Sequence, residues 1–247
     1  MSEHLKINED KGVLEIVLSR PDCGNLITMP MISEIGNALR SLSTKTTAVV
    51  LRGEGKDFCK GRDYAQAPED AKRHHTPDAV QIRDDMTTPI LAMYSLIRDT
   101  PVPTISVVQG TATGFGCAMA CACDVVLAGR GARFSLPEMR ERRLPPTLAM
   151  TALYDRIGYR TLAYLVFSTE ELDGDAAVKS GLASVAFDDA ELNRRSHEII
   201  GTIASLPPAT VKSVKAYLKV APSMDTRGRA ELGSSLYAVV AASAREL

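Results

Sequence analysis

The sequence predicts an α/β body followed by a helical C-terminal region, and three features predict it. Short apolar strands alternate with helical stretches through the first half of the chain. Glycine-rich turns follow strands near 53–61 and 110–116. From residue 148 onward the apolar residues fall almost entirely at helical spacing.

Taken in order, residues 6–8 and 13–18 flank Asp10-Lys11-Gly12, a hairpin signal, and read as paired strands. Pro30 suits a first helical turn, and Met31, Ile32, Ile35, Leu39 and Leu42 then mark one apolar stripe. Residues 48–52 form a short strand ending at Gly53. Residues 53–77, with glycines, a proline, charges and His74-His75, read as a long exposed loop, a kind that is usually functional. Ile82, Met86, Ile90, Met93 and Ile97 predict a helix over 78–98, stopped by Pro101 and Pro103. A strand at 104–108, the glycine turn 110–116, an Ala/Cys/Met helix ending near Asp124 and a strand at 125–128 complete the body. Helices at 148–157, 160–167, 188–204, 208–220 and 227–244 follow, punctuated by Pro207-Pro208. The expected division is a core over 1–190 and a helical region over 191–247.

Composition excludes several classes of function. The chain has 247 residues, 45% apolar and 24% charged, with a net charge of −1. Such a balance supplies no field to gather nucleic acid. The charged N-terminus lacks the apolar stretch of a secretory signal, and no window approaches the ~18 apolar residues of a membrane span. The five cysteines are odd in number and lack CxxC spacing, which suits a reducing compartment, the cytoplasm. No His or acidic residue stands at metal-ligand spacing from them, so no metal site is expected; His4, His74, His75 and His197 lack partners too.

Two loops carry the chemistry. Phe58-Cys59-Lys60-Gly61-Arg62-Asp63 follows the 48–52 strand, and Gln109-Gly110-Thr111-Ala112-Thr113-Gly114-Phe115-Gly116 joins a strand to a helix. Glycine permits close backbone approach, and a helix starting near Phe115 presents unpartnered N–H groups to a developing oxyanion. The second loop lacks the Gly-Lys-Ser/Thr ending of a phosphate loop. Asp124 comes too early to serve as the ribose-binding acid of a dinucleotide fold, which argues against an oxidoreductase.

The order of these elements resembles the enoyl-CoA hydratase/isomerase (crotonase) family. Arg20-Pro21…Asn25, the 58–63 loop, the 109–117 loop with Cys123-Asp124, Phe134-Ser135-Leu136-Pro137-Glu138, Gly158-Tyr159-Arg160 and Ala176-Ala177…Ser180-Gly181-Leu182-Ala183 carry the likeness in register over about residues 5–190. The resemblance implies a spiral of ββα units with a helical C-terminal part, assembled as trimers or hexamers. It implies that the backbone amides of Arg62 and Phe115 bind the thioester oxygen, and that Glu138 is the catalytic carboxylate. Lys60, Gly61, Asp63, Tyr64, Gly114, Gly116 and Ala118 are then substrate-binding positions, and Arg20, Lys56, Lys60 and Arg62 are candidate cations for the phosphates of coenzyme A, each reading more commonly as a solvated surface charge. Asp63 reads alternatively as a helix cap, and Glu138 as a helix N-terminal charge. The 65–77 segment is expected to be mobile and to edge the acyl pocket.

Two departures shape the reaction expected. Phe115 stands where the family usually has glycine; either it is strained at positive φ, or its ring narrows the pocket, the reading favoured. Ala118 occupies the position of the hydratases' second glutamate, while Pro145 and Pro146 fall where some relatives carry an aspartate. One carboxylate suffices to move a proton between the α and γ carbons of an enoyl thioester. The inventory therefore favours an enoyl-CoA isomerase needing no cofactor, coenzyme A being part of the substrate. A hydratase or lyase recruiting Glu141 or Tyr64, and a non-catalytic acyl-CoA-binding scaffold, remain the alternatives. The Arg140-Glu141-Arg142-Arg143 run reads as a solvated face.

Overall fold

A computed structural model describes residues 3–64, 78–140 and 145–243. β1 (Leu5–Asp10) and β2 (Val13–Leu18) form the expected hairpin, paired from Leu5↔Leu18 to Asp10↔Val13. Lys11 and Gly12 at its tip both have positive φ, 47° and 80°, the tight-turn geometry that matches strand twist. α1 (Met29–Arg40), capped by the Thr28 hydroxyl, carries the chain to β3 (Ala48–Gly53), which lies parallel to β2. β4 (Thr104–Val108), β6 (Val125–Gly129) and β9 (Val185–Phe187) extend the sheet in the order β1-β2-β3-β4-β6-β9, all parallel after the hairpin.

Both faces of this sheet are covered, so β3 and β4 read as continuous apolar runs and not as alternating ones. Val49 and Leu51 of β3 face a core shared with Ile35 of α1, Met93 and Ile97. Ala48 and Val50 face the opposite side, with Ile105, Leu127, Leu192 and Ile200. The last two belong to α8 (Asp189–Ala204), so the expected division at 190/191 falls inside a helix that seals the sheet.

The helix expected over 78–98 is built in three parts. Asp78 and Gln81 form a capping box for α2 (Ala79–Ile82), a π-type turn spans Arg83–Thr87, and α3 runs over Thr88–Asp99. Pro89 lacks an amide donor at the start of α3, and the ladder widens just before it.

A second, three-stranded sheet was not expected. β5 (Thr111–Thr113) pairs parallel with β7 (Arg133–Ser135), and β7 pairs antiparallel with β8 (Leu172–Asp173). Between β5 and β6 lies α4 (Phe115–Ala122), buried along its whole length. The region beyond 148 is also less uniformly helical than its periodicity suggests. α5 (Thr147–Leu153) and α6 (Tyr159–Ser168) are followed by β8, α7 (Gly174–Lys179) and β9, before α8, α9 (Pro208–Val220) and α10 (Thr226–Ser243). The two missed strands there are two and three residues long, too short to show a period. Among the described residues no helix is long and apolar enough to cross a membrane.

Candidate active site

The first loop is held as a strand-like segment between two others. On one side the Lys60 amide donates to Gly24 O, the Ile27 amide to Gly61 O and the Asp63 amide to Ile27 O, at 2.8–2.9 Å. On the other, the Cys59 amide donates to Thr111 O and the Thr113 amide to Cys59 O, both at 3.0 Å. Buried Asn25, at φ 56°, ties the turn to this loop through Nδ2 bonds to Glu54 O and Asp57 O. Asp57 joins the two loops directly: it accepts from the Thr111 amide at 3.0 Å and pairs with Lys60 at 2.9 Å.

This framework decides where the Arg62 amide points. In the parallel bridge Ile27↔Arg62 the bonding groups are those of Gly61 and Asp63, so Arg62's own N–H turns to the opposite edge, toward the second loop. Gly61, at φ 112°, makes that reversal possible. The Phe115 amide opens α4 and has no partner within the helix. Among the described residues neither amide is consumed by a backbone hydrogen bond. Positive φ falls on Gly114, at 55°, and Phe115 is regular first-turn helix. Phe115 is thus unstrained, and its ring lines the pocket, 5.2 Å between centroids from Tyr94.

β7 delivers the carboxylate. β5 and β7 run in parallel and end together, with the Gly114 amide donating to Ser135 O at 2.8 Å. Three residues on, Glu138 sits in a turn, so in place of a helix N-terminal charge it is a pocket group. A methyl group at Gly114 would lie 2.7 Å from its Oε1, and its Oε2 is buried.

These parts line one cavity of about 540 Å³, a volume suited to a small-molecule site. Lys60, Gly61, Arg62, Asp63, Tyr64, Gly114, Phe115 and Glu138 all contribute to its wall. Gly116 and Ala118 do not. Gly116 is a packing glycine, since a Cβ there would meet Cys59 O at 2.1 Å, and Ala118 is fully buried in α4. Its small side chain leaves no polar group at that position.

The expected cations are mostly engaged. Arg20 pairs with Asp63 at 2.9 Å, both nearly buried, and donates to Leu26 O at 2.6 Å, so Asp63 clamps the loop; the segment it was expected to cap lies outside the described residues. Lys60 is held by Asp57. The Arg62 guanidinium stacks over the Tyr64 ring at 5.0 Å, and burial lowers its pKa, opposed by Tyr64. Burial pushes the Cys59 thiol up to about 12, so it is no thiolate nucleophile. Among the described residues no cluster of His, Cys, Asp or Glu could hold a metal ion. Glu141, His74, His75 and the 65–77 segment lie outside the described residues, as do Arg142 and Arg143.

Several pocket residues were not expected from the sequence, and Tyr94 is the polar one on α3. Tyr94 lies on the same face of α3 as Ile90, Met93 and Ile97, and it lines the cavity against Phe115. A hydroxyl amid an otherwise apolar stripe was the signal available.

Comparison with known proteins adds the following. The family model for Enoyl-CoA hydratase/isomerase matches residues 8–243. An Arabidopsis thaliana protein described as probable enoyl-CoA hydratase 2, mitochondrial, is 28% identical over 220 residues, covering 86% of this chain and 70% of its own. The fold is similar to the solved enoyl-CoA hydratase of Mycobacterium smegmatis, with TM-score 0.87, 24% identity and coverage of 96% and 91%. It is also similar to a Thermobifida fusca protein described as an enoyl-CoA hydratase in complex with CoA, with TM-score 0.87, 22% identity and coverage of 99% and 95%.

Proposed function

Since the chain belongs to the enoyl-CoA hydratase/isomerase family, we propose that it moves the double bond of an enoyl-CoA from the 3- to the 2-position, with Glu138 as its single acid–base group. The thioester oxygen lies at the amides of Arg62 and Phe115. The Glu138 carboxylate takes a proton from the carbon α to the carbonyl, leaving a dienolate whose charge rests on that oxygen. The same group returns the proton at the γ carbon. Each fixed donor at such an oxygen is worth about 3–4 kcal/mol in the transition state.

The observation that carries this reading is the contact of Glu138 Oε1 with Gly114, next to the Phe115 amide, with buried Ala118 in place of a second carboxylate. Proton transfer alone needs no resident cofactor, and coenzyme A enters as part of the substrate. A hydratase is the second reading, favoured by the names of the similar proteins; Tyr64 at the pocket wall, or Glu141, would then supply the missing group. Exposed aromatics on and beside α6 support self-association, and the family resemblance makes that a homotrimer or hexamer. Five unpaired cysteines support a cytoplasmic setting.

The test is direct assay of the full chain with a 3-enoyl-CoA and, separately, a 2-enoyl-CoA. Conjugation of the first is the expected result. Water addition to the second beyond about 1 per second, within the ordinary enzyme range, would replace isomerase by hydratase. Glu138→Gln is expected to lower kcat by about 10²–10⁴-fold. Unchanged turnover in that variant removes Glu138 from the mechanism.

A further inference from the structure

Tyr94 is 3% exposed, and its ring is fixed between the α3 stripe and Phe115. It lines the cavity, yet among the described residues its hydroxyl makes no hydrogen bond, Glu138 included. A phenylalanine would fill the same space without burying a hydroxyl. Tyr94 faces the cavity, so the partner of its hydroxyl is to be sought among the cavity's occupants.

Geometry locates it. Its ring packs on that of Phe115, whose amide opens α4, and both line the cavity together with Arg62 and Glu138. Cys59, Cys117, Glu138 and Tyr64 are the titratable neighbours that act on the phenol. Burial first, and those neighbours second, raise the phenol's pKa well above its ordinary value, so it keeps its proton. A neutral donor at the reacting centre can stabilise negative charge and cannot act as a base.

We propose that the Tyr94 hydroxyl is a third hydrogen-bond donor to the thioester enolate, beside the amides of Arg62 and Phe115. The inference rests on the cavity being the thioester site. It adds a side-chain donor to the backbone pair, and no bond to Tyr94 forms or breaks.

The test is Tyr94→Phe, which keeps the ring on Phe115, read in two ways. The first is the ultraviolet band of the enolate formed by a bound 3-ketoacyl-CoA, which needs no turnover. The second is the pH profile of kcat and kcat/KM with an enoyl-CoA. The expected result is a weakened enolate band and a fall in kcat of about 10²–10³-fold, with the acid limb of the profile in place. An enolate band equal to wild type overturns the proposal. So does a shifted acid limb, which would put the phenol on Glu138, or a loss confined to acyl chains bearing a polar group, which would make it a specificity contact. If wild type binds no CoA thioester at all, the thioester-site reading itself fails. Wild-type binding with an indifferent Tyr94→Phe variant sinks only the third donor.

Discussion

Glycine 114 shows how much one residue decides. Its φ of 55° is unfavourable for any side chain, and a Cβ would press on the Glu138 carboxylate at 2.7 Å. Gly114→Ala is therefore expected to cost about 1–2 kcal/mol of stability in urea unfolding. It should cost at least tenfold in kcat as well, a displacement of the carboxylate by an ångström being worth up to 10²-fold. Wild-type kcat in that variant would show that Glu138 need not sit there. At this scale the sequence named Gly61, Gly114 and Glu138, which the fold brings to one cavity, because local backbone freedom and residue type are properties of short range. Tyr94 was not readable, since a tyrosine on an apolar stripe looks the same whether its hydroxyl meets solvent, protein or a cavity. The family resemblance implied Gly116 and Ala118 as substrate-binding positions, but neither lines the cavity, since a helix turns successive residues to different faces.

Among the elements, two joints hold the site to the fold. Asp57 fastens the first loop to the second; burial pushes its pKa up, but the bonds from Lys60 and Thr111 outweigh it and the net shift is downward from 3.8. A carboxylate with a lowered native pKa stabilises the fold fully above its unfolded value and loses that contribution as pH falls through the native one. Asp57→Asn is thus expected to be less stable at neutral pH and to lose part of the acid dependence below about pH 3.8, measured as urea midpoints across pH. An unchanged acid slope would count against this role. The second joint pins α9 to the body: Lys215 pairs with Asp124, which Arg156 also approaches at 3.7 Å. Removing Asp124 strands one buried and one half-buried cation, so Asp124→Asn should lower stability by about 3 kcal/mol, and Lys215→Met by less. Equal losses would mean that packing of the lysine stem dominates. The longer helices were readable from their periods and the five- to six-residue strands from apolar runs bounded by turn signals, while β5, β7 and β8, two or three residues each, exist only because each finds a neighbour.

For the whole molecule, the exposed aromatics set an expectation about assembly. Tyr159 is 75% and Phe167 73% exposed, with Tyr154 and Tyr164 nearby. The proposed self-association would bury these rings. Phe167→Glu is expected to shift sedimentation from trimer or hexamer toward monomer; a wild-type monomer would remove the proposal. Taken alone, the sequence determined the α/β body, the two glycine loops, their family likeness and the single retained carboxylate, because these follow from residue type and short-range spacing. Only the tertiary structure decided that β7 would set Glu138 beside Gly114, that α8 would close the sheet, and that a tyrosine from α3 would face the same cavity. The physical reason is range: φ preferences and hydrophobic periods act over a few residues, whereas pairing of two short strands and the burial of one hydroxyl depend on segments tens of residues apart meeting in space.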